Sequence, residues 1–373
     1  MKIVEFDASN SYRIQQFIDL PYRIYRDIEQ WVPPLVTEVK IPFDQRRNPF
    51  YKHSSASFFL VVTEDGSPIG RLAVLNNRNY NNFNHSHTAF FCLFESFPDQ
   101  QIADKLFEAG FHWARKQGLE SILGPRGFTA LDGLGLLVKG FEHRPAFGVT
   151  YNPPYYAELL EATGLQKECD IVSGYLSATT TFPYKIHKIS ELVQQRRGLR
   201  IINFRGKREL RKMVPKIMSM YNEMVQGTSG NVPLTKDEVS TIANQLIWFA
   251  NPRLIKIIEK DDTPVGFLFA YPDISAALQR TKGQLYPLGW IQLLFEMRRT
   301  EWVNINGAGI IKQYQGMGGT AILFSEMYKS VIDGGFKHAE IVQIGVDNDK
   351  MQRELRELGI DFYKVHRMYK GSL

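Results

Sequence analysis

The chain has 373 residues, of which 44% are hydrophobic and 23% charged, with a formal net charge of +6; this exceeds the roughly 250 to 300 residues at which one core stops growing, so two domains are expected. The composition is that of a globular protein, not a fibrous or disordered one, and no apolar run approaches the roughly 20 residues of a membrane span, nor does the N-terminus carry a signal-peptide core. Cys92 and Cys169 have no CxxC or metal-like spacing, which argues against a disulfide framework or a structural zinc site, and a cytoplasmic protein is expected.

In chain order, KIVEF (2–6) reads as a strand followed by helical segments. FFLVVTEDGSPIGRLAVL (58–75) reads as a hairpin, because two apolar runs flank Asp65-Gly66. TAFFCLFE (88–95) is a strand, QIADKLFEAGFHWARKQG (101–118) a helix and SILGP (121–125) a strand. An insertion (126–154) precedes the helix YYAELLEATG (155–164) and the strand CDIVSGYL (169–176). Residues 177–198 then form a connector with one short helix.

The order starts again with LRIINF (199–204) and the hairpin RLIKIIEKDDTPVGFLFAY (253–271). A second insertion (272–300) precedes the strand EWVNINGAGII (301–311), the helix TAILFSEMYKSVIDGG (320–335), the strand HAEIVQI (338–344), the helix DKMQRELRELG (349–359) and the strand FYKVHRMYK (362–370). Phe6 answers Phe204, Pro68 and Gly70 answer Pro264 and Gly266, and Gly164 answers Gly359, at offsets of 198, 196 and 195. Matches in one order at nearly constant spacing identify tandem copies of one α/β domain with a mixed sheet. The boundaries are 1–176 for a degenerate first domain, 177–198 for the linker and 199–373 for the second domain. The arginines of QQRRGLRIINFRGKRELRK (194–212) read as solvated faces rather than a polyanion site, so no DNA partner is expected.

Gly307 and Gly309 weaken the strand at 301–311 unless it bulges or something approaches its backbone. Gln315, Gly316, Met317, Gly318, Gly319 and Thr320 follow, directly ahead of a helix. Backbone N–H groups converging at a helix N-terminus make an anion site, with phosphate as the natural guest. The spacing is neither that of a P-loop nor that of a dinucleotide fold.

This stretch resembles the acyl-CoA motif [QR]-x-x-G-x-[GA] of the GCN5-related N-acetyltransferases, with Thr320 replacing the last Gly or Ala. The element order of both copies resembles that family, which implies two tandem acyl-CoA N-acyltransferase domains. The resemblance implies acetyl-CoA or another acyl-CoA as cofactor, held by the motif that Gln315 opens, with its pyrophosphate on the amides from Gly316 to Thr320 and its pantetheine arm on the backbone of Ile310 and Ile311. Asn348 stands where the family often places an asparagine facing the arm, although DND before a helix is also an ordinary cap. In the family an acceptor amine attacks the thioester directly, so a small-molecule or peptide amine is the expected acceptor. Glu301 is the carboxylate candidate for the base, with an exposed strand-entry residue as the plain alternative. Leu355 occupies the family's general-acid tyrosine position, and Tyr363 and Tyr369 are the nearby donors in sequence. Copy one has Gln100, Gln101 and Ile102 opposite Met317, Gly318 and Gly319, and so lacks the glycines, hence its reading as degenerate.

Leu285, Tyr286, Trp290, Leu294 and Phe295 of the second insertion read either as an apolar pocket for an acyl chain or acceptor, or as interdomain packing. Two further readings stay open at this point: a CoA-binding protein without chemistry, and a transferase whose donor is an aminoacyl-tRNA or an acidic acyl-carrier protein.

Overall fold

A computed structural model describes residues 1–129, 132–180, 183–226, 230–345 and 349–373. The first repeat contains β1 (Lys2–Phe6), α1 (Ser11–Ile24), β2 (Ser55–Val62), β3 (Pro68–Asn76), α2 (Arg78–Asn84), β4 (Thr88–Ser96), α3 (Gln100–Lys116), β5 (Ser121–Gly124), β6 (Leu136–Lys139), α4 (Tyr156–Ala162) and β7 (Gln166–Ser177). The connector supplies α5 (Tyr184–Arg197). The second repeat contains β8 (Arg200–Ile202), α6 (Lys207–Val225), α7 (Lys236–Phe249), β9 (Ile255–Lys260), β10 (Thr263–Pro272), α8 (Ser275–Thr281), α9 (Gly289–Arg299), β11 (Trp302–Ile310), α10 (Gly319–Asp333), β12 (His338–Gly345), α11 (Asp349–Glu357) and β13 (Asp361–Ser372). Among the described residues no helix is long and apolar enough to cross a membrane.

The two repeats pair their strands alike. β1, β2, β3 and β4 are successively antiparallel and β4 runs parallel to β5; β8, β9, β10 and β11 are successively antiparallel and β11 runs parallel to β12. Both expected hairpins form, the first closing its turn with the Thr63 amide on the Ser67 carbonyl at 3.0 Å.

The chain packs as two compact units that are not the repeats themselves. One comprises Met1–Val172, Ser275–Leu293 and Tyr363–Leu373; the other comprises Ser173–Ile274 and Leu294–Phe362. In the first, β13 pairs antiparallel with β5, from Tyr369↔Gly124 to Ser372↔Ser121. In the second, β7 from Ser173 onward lies beside β12. Each unit is thus completed by the final strand of the other repeat.

In the first unit β3 is buried on both faces, because successive side chains alternate. Leu72 and Val74 lie under Gly110 of α3, while Arg71 points to α1 and donates to the Phe17 carbonyl at 2.7 Å. Phe59, Phe91, Leu106, Phe107 and Tyr156 fill the core. Burying each such side chain contributes about 1.5–3 kcal/mol. In the second unit α10 packs on β9 and β10, and α6 on β10 and β11, around Ile257, Ile258, Leu268, Val303, Ile322 and Met327. The arginines at 196, 197, 200, 205, 208 and 211 are exposed.

Candidate functional site

The site is built where β11 leaves the sheet of the second unit. Pairing with β10 steps from Ala270↔Ile305 to Leu268↔Ala308, so Asn306 and Gly307 together oppose one residue. This is the expected bulge, and Gly307 takes φ +86, which a side chain resists. The parallel ladder with β12 runs only from Trp302↔His338 to Ile305↔Ile341, although β11 continues to Ile310 and β12 to Gly345. Past the bulge, among the described residues, no pairing between the two strands is recorded. One edge of β11 is thereby left to other partners.

Gly309 has a separate reason to lack a side chain: a Cβ there would meet Met224 Sδ of α6 at 2.8 Å and Phe267 Cε1 at 3.2 Å. Asn306 at the bulge is hydrogen-bonded to the half-buried Tyr271, whose hydroxyl is pushed above its ordinary range by desolvation. Met224, Phe267, Asn306 and Tyr271 escaped the sequence reading. Met224 lies on a helix valued there only for its arginines, and Asn306 carries a signal only in hindsight, as the residue before the bulge glycine.

A short 3-10 turn at Lys312–Tyr314 leads from β11 into the glycine loop. The Gln315 side chain folds back and donates from Nε2 to the Ile310 carbonyl at 3.1 Å. Gly318 is the N-cap of α10 with φ +87, and no side chain caps that helix. Among the described residues, no backbone carbonyl takes the amides of residues 316 to 321; the first helical bond runs from Ile322 to the Gly318 carbonyl at 3.3 Å. Of these N–H groups, those of residues 318 to 321 belong to the cap and first turn at the positive end of a 15-residue helix. Such an arrangement suits an anion. A Cβ on Gly318 would meet Val193 Cγ2 of α5 at 2.6 Å, so the connector helix packs directly against this turn.

The corresponding helix start in the first repeat is filled. The Asp99 carboxylate accepts from the Gln101 amide at 2.9 Å and caps α3. A fixed negative charge stands there in place of an open set of donors, so this end would repel a phosphate.

The other residues singled out by sequence are dispersed. Both backbone groups of Ile311 are engaged, its amide on the Val265 carbonyl at 2.9 Å and its carbonyl by the Tyr314 amide at 2.8 Å. Glu301 stands ahead of β11, at the opposite end from the loop, ion-paired with Lys337 at 2.5 Å. Leu355 is buried in the second unit's core. Tyr363 and Tyr369 belong to the first unit, where Tyr369 donates to Glu161 at 3.1 Å and its hydroxyl is held at about 12 by burial and by that carboxylate. Asn348 lies outside the described residues. A cavity of about 320 Å³ in the second unit is lined by Ile202, Lys256, Ser330 and Asp333, near the C-terminal end of α10 and away from the glycine loop. Among the described residues no cluster of metal-ligating side chains occurs.

No family model matches the chain. It is 27% identical over 371 residues to Protein YghO of Escherichia coli strain K12, covering 98% of this chain and 94% of that protein. It is 25% identical over 375 residues to the bacterial ceramide synthase of Caulobacter vibrioides, covering 96% and 95%. Among solved structures, it superposes with a TM-score of 0.55 on a tandem GNAT protein from the clavulanic acid biosynthesis pathway, at 11% identity, covering 100% of this chain and 98% of that one. It superposes with a TM-score of 0.53 on a GCN5-related N-acetyltransferase from Sphaerobacter thermophilus, at 12% identity, covering 99% and 95%. The chain therefore has the tandem fold of the GCN5-related N-acetyltransferases.

Proposed function

We propose that this protein is an acyl-CoA-dependent N-acyltransferase whose second repeat binds the cofactor. The observation that carries the reading is the uncapped N-terminus of α10, where the amides of residues 316 to 321 are unused by the chain. The pyrophosphate of acetyl-CoA or a longer acyl-CoA would lie on those amides, which suit two clustered negative charges. The pantetheine arm would run along the unpaired edge of β11 between Asn306 and Ile310. Ile311 contributes less, since both its backbone groups are engaged.

In the reaction, the nitrogen lone pair of a neutral amine attacks the thioester carbonyl carbon. The C–S bond then breaks, CoA leaves as the thiolate, and the ammonium proton passes to solvent or to the departing sulfur. Positioning and backbone N–H groups that stabilise the oxyanion supply the catalysis. This reading assigns no step to Glu301, which is ion-paired with Lys337 at the far end of β11.

The name of the Caulobacter relative supports a choice of acceptor. Ceramide is the amide of a long-chain amino alcohol, so we take the acceptor to be an amine carrying a long apolar chain. The reading implies a cytoplasmic site of action, where CoA thioesters are made.

The test is thiol release from acetyl-CoA and palmitoyl-CoA in the presence of long-chain amino alcohols. Release that requires both protein and amine is expected. Tight CoA binding with no release over the whole panel would instead identify a binding protein; amide formation only from acyl-carrier protein, with release of its thiol, or only from aminoacyl-tRNA, with release of the tRNA hydroxyl, would replace the donor.

A further inference from the structure

The segment joining α8 to β11 carries an apolar surface that the fold does not use. Tyr286 is 80% exposed and Leu288 61% in the turn before α9; on the helix, Phe295 is 56% exposed, Ile291 45% and Trp290 41%. At 100° per residue, Trp290, Ile291, Leu294 and Phe295 fall within an arc of about 140°. The inward side of α9 is narrow, with Gly289 and Leu293 buried. A helix on a globular protein ordinarily turns its apolar stripe to the core and its polar side to water, and here the large apolar residues face out. Contiguous exposed apolar surface of this kind marks an interaction site.

Charge identifies the occupant. From Arg280 to Arg299 the sequence has four cations, Arg280, Lys282, Arg298 and Arg299, against one anion, Glu296. Arg298 and Arg299 are exposed in the last turn of α9, and Arg299 lies 4.7 Å from the Phe295 ring. Tryptophan and tyrosine with long cations beside them match the boundary between acyl chains and anionic headgroups, where aromatic rings enter and arginines reach back to phosphate. The 11 residues of α9 are too few to span a bilayer and enough to lie along one.

We propose that the Tyr286–Arg299 segment docks the protein onto the surface of an anionic phospholipid membrane. This inference is independent of the acyl-transfer reading and stands or falls by a binding measurement alone. The full-length protein is floated with vesicles of phosphatidylglycerol and phosphatidylethanolamine, and with vesicles of phosphatidylcholine alone. Binding to the anionic vesicles is expected, weakening about fivefold for each arginine removed in Arg298→Gln and Arg299→Gln and at least tenfold in Trp290→Ser/Phe295→Ser. These side chains are exposed, so the variants should keep the wild-type melting curve, and Tyr286→Ser provides a further substitution outside the helix. The proposal is overturned if wild type binds neither vesicle, if it binds both equally, or if all the variants bind like wild type. A wild-type dimer that Trp290→Ser/Phe295→Ser converts to a monomer, without vesicle binding, would assign the surface to a second copy and also overturn it.

Discussion

Replacing Gly318 separates the geometry of the loop from its charge. Its φ of +87 costs a residue with a side chain about 1–2 kcal/mol, and the Cβ meets Val193 Cγ2 at 2.6 Å, so α5 must shift. Gly318→Asn incurs both costs without adding charge. Gly318→Asp has the same shape plus one negative charge at the helix end. At about 5 Å from a bound diphosphate and an effective dielectric constant of about 20, one charge pair repels by about 3 kcal/mol. CoA should therefore bind the Asp variant at least about 100-fold more weakly than the Asn variant in low-salt calorimetry, and the gap should narrow as salt is added. Gly318→Ala should cost less stability in a Val193→Ala background than alone, because the clash is removed. Equal CoA affinity of the Asp and Asn variants, or a wild type that binds no CoA, would refute the reasoning.

The first unit should show two opposing pH dependences. Burial, and then the charge of Asp132, raises Glu38 to about 7; between about pH 4.5 and 7 the folded chain holds the extra proton, so stability falls as pH rises. Burial lowers His366 to about 4; between about pH 4 and 6.5 the unfolded chain holds the extra proton, so stability rises with pH. The limit is about 3 kcal/mol at His366 and less at the half-buried Glu38. Urea titrations from pH 4 to 8 should find Glu38→Gln gaining stability relative to wild type as pH rises to 7, and His366→Gln gaining relative to wild type as pH falls to 4; pH-independent differences would contradict both assignments. Asp99→Ala should cost about 1 kcal/mol through the lost cap of α3, read as a small drop in melting temperature with CoA affinity unchanged, whereas a change in CoA affinity would contradict the closed state of that helix end.

Much of this architecture was legible in the residues because it is local. Hairpins follow from apolar alternation around a turn, the helix after residue 318 from its apolar run, and the bulge in β11 from two glycines that an ordinary strand would not tolerate. The repeat was legible because the same local signals recur at nearly one spacing. The contrast between the two helix starts was legible only as glycines present at 318 and 319 and missing at 101 and 102; the Asp99 cap of α3 was not read from the sequence.

Long-range packing decided the rest. No local preference tells β13 to pair with β5, since its residues would fit beside either parallel pair, and that choice carried Tyr363 and Tyr369 into the first unit. Met224 over Gly309 and Val193 against Gly318 depend on where α6 and α5 land, which no short stretch encodes. The outward face of α9 was undecidable from its periodicity, because an apolar stripe has the same spacing whether it meets a core or the solvent. Only the burial of Gly289 and Leu293 on its opposite side settles which way it turns.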